Sequence, residues 1–486
     1  MRPTVAPAEA ATPIPDSLQD AFSNAQSKTP PVSVAHAAAD SNMMQRLQMA
    51  QHNLLRVWRE RDYSVRTSKM TLLNQVYILC NSPDTVRHVF LAEHANYDRK
   101  SPHMRQALTP LLGDGLFVSD GDLWRTRRKQ CAPTLHNGLL PEFTKVMTAS
   151  AEETARQWHQ KAAGQPVDML KEMAHLTARI IGRTIFGDDT TDEEAEQVVA
   201  GFSEYQQHAE QLDLANMLGL PFLKLFGNPR RRARTRYSAQ QVHEVIDRII
   251  DRHMNTQGET SGRFSLIESF IEQMGDPAKG GCPHARNAVR NEAIVMFMAG
   301  HETTANSLAW CWYLLDYDRD AMAKLQQELD SVLQGRTPTF DDIDQLPYTR
   351  AVFEESMRLY PPVPLLSRQA REEDQIRNRK VTRNSVILAV PWLLHRHHKL
   401  WEAPDHFIPE RFMPGAPRPD KFAYLPFSVG PRVCLGKRFG LYEGILCLAT
   451  LAQQFTPQCL PDHKTEIECR LTLRPAGGLP MTLNPR

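Results

Sequence analysis

One cysteine stands in Pro426-Phe427-Ser428-Val429-Gly430-Pro431-Arg432-Val433-Cys434-Leu435-Gly436, a stretch suited to holding a metal thiolate. Leu441, Ile445, Leu448 and Leu451 then recur at helical spacing. Cys434 therefore precedes a helix N-terminus, where unpaired N–H groups and the helix dipole favour an anion. Gly430 and Gly436 bracket the cysteine and allow a backbone of positive φ, or one lying against a flat ligand. Phe427 is placed to shield the sulfur, and the planar fork of Arg432 suits a carboxylate on the same ligand. A lone sulfur with no second ligand nearby points to haem; the plainer reading of Cys434 alone is a buried free thiol in a turn.

A second chemical feature lies in Asn291-Glu292-Ala293-Ile294-Val295-Met296-Phe297-Met298-Ala299-Gly300-His301-Glu302-Thr303-Thr304. The run from Ala293 to Gly300 is apolar all round, as in a helix passing through a core. Glu302 and Thr303 in its middle are costly to bury unless hydrogen-bonded or functional. A mid-helix threonine bonds back to a carbonyl and bends the helix, and Gly300 weakens it further.

Phe427-x-x-Gly430-x-Arg432-x-Cys434-x-Gly436 resembles the haem loop of the cytochrome P450 family at each fixed position, and the likeness extends over most of the chain. Ala299-Gly300-x-Glu302-Thr303-Thr304 resembles that family's oxygen-activating motif, in which the helix opens beside the iron and the acid–alcohol pair delivers protons. Trp124 and Arg128, one turn apart on a helix starting at Gly121, resemble the pair that reaches a haem propionate; Arg368 stands at the other propionate position. Glu355 and Arg358 alone read as an ordinary surface pair. With Arg411 they resemble the Glu–Arg–Arg network that locks the loop before the cysteine. Ala299 replaces the glutamate of members that esterify haem, which excludes covalent attachment there.

The resemblance implies a mainly α fold, a large helical domain with a small β-rich lobe, spanning residues 41–486 as one domain. It implies a haem-thiolate monooxygenase that inserts one oxygen atom from O2 into an apolar organic substrate by hydroxylation or epoxidation. The cofactor is haem b, non-covalent apart from the Cys434–iron bond, with Glu302 and Thr303 handling protons. Leu112, Phe117, Met296, Ala299, Val363, Leu366 and Leu479 are the expected pocket residues, Leu479 as the tip of a hairpin over Leu473–Met481. The chain ends at Arg486, soon after Cys434, so electrons are expected from a separate ferredoxin or flavodoxin with its NAD(P)H reductase. Arg125, Arg127, Lys129, Lys437 and Arg438 form the expected face for that acidic partner. Two alternatives share the loop: a haem-thiolate isomerase, dehydratase or peroxide-driven enzyme, and a haem-binding sensor without turnover. Relatives of the first kind usually lose the threonine, which this chain keeps; product formation with surrogate donors separates the second.

Composition sets the frame. The 486 residues show no internal linker after the first forty, and 41% hydrophobic residues supply a sizeable core. A net charge of +1 excludes a global bias toward nucleic acid. The 8 cysteines have no short-range framework, as in a reducing compartment, and Cys282-Pro283-His284 is a weak zinc motif. No apolar run is long enough to span a bilayer and no signal peptide opens the chain, so a soluble cytoplasmic protein is expected. Residues 1–40, rich in Ala, Pro, Ser and Thr, read as a mobile tail. The 217–236 segment, apolar then basic, reads as a membrane-touching patch or, by the resemblance, a lid. Helices are expected from Met43, over Ser82–Asn96, Glu142–Gly187 and Asp192–Leu214, strands over Ser68–Asn81, and a long loop over Tyr97–Asp120.

Overall fold

The computed structural model describes residues 15–26, 28–161, 164–187, 190–209, 229–255, 265–274 and 283–486. Its principal helices are α1 (Asp16–Gln26), α2 (Met43–His52), α3 (Pro102–Leu112), α4 (Gly121–Cys131), α5 (Leu140–His159), α6 (Met169–Phe186), α7 (Asp192–His208) and α8 (Pro229–Asn255). They continue with α9 (Pro283–Tyr317), α10 (Arg319–Leu333), α11 (Pro347–Leu359) and α12 (Lys437–Ala452). A four-stranded sheet in the order β1-β2-β7-β4 forms the β-rich lobe: β1 (Thr67–Leu72), β2 (Gln75–Cys80), β7 (Val386–Ala389) and β4 (Leu366–Gln369). β2 runs parallel to β7 with Tyr77 opposite Val386; the other pairings are antiparallel.

The site is organised by α9 and α12. At 35 residues α9 is about 50 Å long, and Ala293 to Met298, Trp310 and Trp312 are buried along it. Gly300 has a packing role: a Cβ there would lie 2.7 Å from Ile181 Cδ1 of α6, so the two helices approach closely only through glycine. The helix runs without interruption through 299–304, so the opening that the resemblance implied is not present. The bend signal is instead local, with Thr303 Oγ1 donating to Ala299 O at 2.6 Å. Helix α12 is buried from Gly444 to Ala452. A Cβ at Gly444 would meet the Phe353 ring at 2.1 Å, which locks α12 against α11.

Several expectations change. Residues 15–40 are not a loose tail: α1 is ordered because Leu18, Phe22 and Ala25 make one apolar stripe, buried against Ile408. The 97–120 connection contains α3, started by Pro102 in its first turn and by Ser101 Oγ, which accepts from Met104 N–H at 3.3 Å. The long helix expected over 142–187 is split into α5 and α6 by β3 (Pro166–Asp168). Leu473–Met481 is not a hairpin. The hairpin joins β9 (Ile467–Cys469) to β10 (Leu473–Pro475), whereas β11 (Pro480–Pro485) leaves to pair with β3 and β8 (Phe455–Cys459). Gly477 and Gly478, at φ of 73° and 98°, make that departure. Residues 217–228 and Cys282 lie outside the described residues, and so does most of what was expected of them. Among the described residues no helix is long and apolar enough to cross a membrane, and no metal-binding cluster of His, Cys, Asp or Glu occurs.

Candidate active site

The cysteine loop is set by backbone geometry. Gly430 has φ of 76°, and a Cβ there would lie 1.8 Å from Phe90 O, so no other residue fits. Cys434 N–H donates to Phe427 O at 2.9 Å and Val433 N–H to Gly430 O at 3.0 Å, which fixes the turn just ahead of α12. At Gly436 the protein itself demands nothing: a Cβ would meet only Leu135 Cδ1, at 3.9 Å. Gly436 thus leaves that side of the loop open for a flat ligand to lie close.

Cys434 is solvent-accessible, although protein surrounds it closely enough for burial to push its thiol up. Both hold when a sulfur is open to solvent on one side and surrounded by protein on the others. Arg128 and Lys437 pull the thiol the other way, as does a hydrogen bond from the Gly436 backbone, but burial outweighs them. A cation bound against the sulfur would act in the same sense as Arg128 and Lys437, favouring the thiolate. On α9, Ala299 is exposed and Gly300 and Thr303 half-buried in the middle of an otherwise buried helix. Loop and helix meet at Gly440, whose Cβ would lie 3.8 Å from both Phe427 Cε1 and Thr304 Oγ1. The loop that carries the accessible sulfur is thus packed next to the helix that carries the accessible Ala299.

Cations converge beside it with little to neutralise them. The Arg432 guanidinium lies over the Trp124 ring at 4.4 Å and donates from Nη2 to Ser119 O at 2.9 Å, while its buried Nε has no partner. Burial pushes Arg432 down to about 10. Arg368, 4% exposed, is pushed down to about 9 by burial and by Arg432; it donates only to the Ser367 carbonyl, at 2.8 Å. Arg128 is half-buried and close enough to Cys434 for each to feel the other's charge. Lys100, which the sequence reading passed over, is buried with its ammonium 4.3 Å from the Phe117 ring centroid. Burial, Arg368 and Arg432 hold it well below the usual lysine range. Asp120 lies 3.5 Å from Arg432 Nη2, and the Asp98 charge also reaches Arg368 and Arg432. Buried cations with so few carboxylates, beside an accessible sulfur, fit a ligand bearing carboxylates.

The acid–alcohol pair is divided in its contacts. Thr303 spends its proton on Ala299 O, which leaves the hydroxyl oxygen as an acceptor. Glu302 points elsewhere: Gln206 Nε2 of α7 donates to it at 2.6 Å and Thr472 Oγ1, in the β9–β10 turn, at 2.7 Å. Asn306 Nδ2 backs Thr472 at 3.1 Å. Burial raises the Glu302 carboxyl.

Of the expected pocket residues, Met296 is buried one turn before the accessible Ala299, and Phe117 and Val363 are half-buried. Leu112 lies in the main core. Leu366 packs against the second core cluster, around Ile78 and Ala389. Leu365 and Ser367 on either side of it face an apolar cavity with Leu54, Trp58, Met104 and Leu471, as strand alternation requires. Leu479 is wholly buried beside β3, its N–H donating to Asp168 Oδ1 at 2.9 Å, whereas Leu471, in the true hairpin turn, faces the apolar cavity. Glu355, Arg358 and Arg411 are buried together, Glu355 pairing with Arg358 at 2.6 Å and with Arg411 at 3.3 Å. They are no surface pair. Arg127 is also misplaced by the sequence reading: it is 8% exposed and pairs with Asp114 at 3.1 Å and Glu292 at 3.5 Å, away from any docking face.

The cytochrome P450 family model matches residues 41–479. Cyclooctatin synthase of Streptomyces melanosporofaciens is 30% identical, the match covering 85% of this chain and 86% of that protein. The chloroplastic carotene epsilon-monooxygenase of Arabidopsis thaliana is 29% identical over 84% of this chain and 78% of its own. Among solved structures, the cytochrome P450DA heme domain superposes with a TM-score of 0.76 at 20% identity, covering 94% of this chain and 97% of that one, which shows the shared fold. With the family match spanning the cysteine loop, the cation cluster and the apolar helix alike, the chain belongs to the cytochrome P450 family of haem-thiolate monooxygenases.

Proposed function

We propose that residues 41–486 form one catalytic domain that binds haem b through Cys434 and oxidises an apolar substrate with O2. The observation that carries this reading is the accessible Cys434 in a loop whose Phe427 meets Thr304 of the apolar helix at Gly440. Haem bound there supplies the oxygen activation and insertion chemistry. Trp124, Arg128, Arg368 and Arg432 hold its propionates, with Lys100 as a further cation, and Phe427 and Gly436 border the sulfur. Glu355, Arg358 and Arg411 keep the loop in place. The half-buried Phe117 and Val363, with Met296 and Ala299, exclude water above the ring. Carotene, named in one relative, is an apolar hydrocarbon of the kind this reading expects as substrate.

Thr303 accepts a hydrogen bond from a protonated oxygen beside it, because its own proton is committed to Ala299 O. Thr303→Ala removes that acceptor and keeps a good helix former, so fold and haem spectrum survive. NAD(P)H and oxygen are still consumed while product per electron falls several-fold and hydrogen peroxide rises. Full coupling in the variant would reduce Thr303 to a helix-bending residue.

Electrons come from a separate acidic donor of ferredoxin or flavodoxin type, docking on Arg125, Lys129, Lys437 and Arg438, all exposed. Exposed charges are screened over ~10 Å near 0.1 M salt, so reduction slows as salt rises. Reversing Lys129 and Arg438 to Glu is expected to slow first-electron transfer about tenfold at low salt, with substrate affinity unchanged. Stopped-flow reduction that ignores both salt and charge reversal would move the donor to another face.

A further inference from the structure

Helix α1 precedes the stretch that the family model matches, which begins at residue 41, yet it is fastened to the molecule. Its buried stripe of Leu18, Phe22 and Ala25 sits on Ile408, with Ala403 and Ala416 at the margin. The chain after it is tethered repeatedly. Lys28 pairs with Asp318, the N-cap of α10, at 3.0 Å. Val32 donates its N–H to Tyr313 Oη at 3.1 Å and accepts from Tyr360 Oη at 2.8 Å.

The contact that matters is Phe22 against Arg411, whose guanidinium carbon lies 4.8 Å from the ring centroid. Arg411 donates from Nε to Glu355 Oε1 at 3.3 Å and from Nη2 to Ala403 O at 2.8 Å. Glu355 also accepts from Ile408 N–H at 2.9 Å and grips Arg358 through both oxygens, at 2.6 and 2.7 Å. Arg358 reaches the carbonyls of His395, Pro404 and His406. His395 Nε2 accepts from Leu425 N–H at 2.8 Å, and two residues on, Phe427 O receives the Cys434 N–H. Arg411 is the loosest member of this chain of bonds, with a single long contact to Glu355 and a guanidinium that burial pushes down to about 10. A charge pair under an apolar cover is far stronger than the same pair in water, and an aromatic face adds a cation–π attraction.

We propose that α1 is a brace for the cysteine loop, in which Phe22 is a positioning residue that keeps Arg411 on Glu355 and so keeps Cys434 aligned for ligation. The proposal rests on ligation of haem by Cys434. Its signature is loss of thiolate ligation, beyond any loss of packing.

Full-length holoenzyme carrying Phe22→Leu, Phe22→Tyr or Leu18→Ala tests it. The lifetime of the red-shifted Soret band of the reduced, carbon monoxide-bound protein is followed at low and high salt, beside haem content and melting temperature. Phe22→Leu keeps apolar cover but loses the ring. The band should decay about three- to tenfold faster and, unlike the wild type, faster still in salt, as ions reach the Arg411–Glu355 pair. Phe22→Tyr keeps the ring and the wild-type lifetime. Leu18→Ala lowers melting without making the band salt-sensitive. A wild-type lifetime in Phe22→Leu, or the same salt-sensitive decay in Leu18→Ala, overturns the brace while leaving Cys434 as ligand. Absence of the band from the wild type itself would overturn the ligation and the brace together.

Discussion

Cys434→Ser is expected to abolish the red-shifted Soret band of the reduced, carbon monoxide-bound protein and to remove monooxygenase turnover, with melting temperature little changed. A serine hydroxyl is a hard, weakly acidic donor and a poor replacement for a soft thiolate. No other described cysteine can substitute. Cys80, Cys131, Cys311, Cys447 and Cys469 are buried, and Cys459 lies in β8, far along the chain from the loop. The loop survives the change because backbone contacts hold it, through Phe427 O, Gly430 and Phe90 O. Absorption spectra of the reduced carbon monoxide complex check the outcome, and a variant that keeps the band would place the thiolate elsewhere.

What could be read in the sequence was what depends on short spacing. The cysteine loop, the Trp124–Arg128 turn and the apolar run before Glu302 each lie within a few residues, so local geometry carries them into the fold unchanged. Partners distant in sequence were not legible. Gln206 and Thr472 reach Glu302 from α7 and the β9–β10 turn, and nothing at 302 announces them. Lys100 lies in a run of charged residues, Asp98-Arg99-Lys100, that reads as a solvated face, yet β4 arrives beside it from far along the chain, with Gln369 N–H donating to Arg99 O at 2.9 Å. Arg127 reads as exposed beside Arg125 and Lys129, although the helical position three residues after Trp124 turns it inward. The N-terminal stretch misled by composition: Ala, Pro and Ser outweighed an i, i+4, i+7 apolar stripe that was present all along. Leu479 failed because strand pairing, not hairpin proximity, decides where a chain end goes.

Glu443 is the other group that the sequence did not flag, and it sets the second large effect. It lies on α12 with no exposed surface, and neither carboxyl oxygen has a well-formed hydrogen bond. The Thr304 hydroxyl is near enough to ease its ionisation slightly, but burial pushes the carboxyl up to about 8. Glu292, buried against Leu116 and Arg127, is raised to about 7. The folded protein therefore holds more protons than the unfolded chain between pH 4.5 and 8, so these carboxyls make stability fall as pH rises. His301 and His395 act in the opposite sense. Burial pushes them down to about 4 and about 3, so their contribution is complete above pH 6.5 and lost on acidification. From pH 4.5 to 6.5 the two slopes oppose each other; above 6.5 the histidines no longer contribute a slope, and the carboxyls lower stability toward pH 8. Glu443→Gln keeps the shape and removes the charge. Each pH unit of displaced titration is ~1.4 kcal/mol, so the variant should gain a few kcal/mol at pH 8 and almost nothing at pH 5. Urea unfolding of wild type and variant at the two pH values, with haem content matched, measures the difference. Parallel pH profiles would mean that water reaches Glu443 and lets it ionise normally, and the buried face of α12 beneath Thr304 would then be wet.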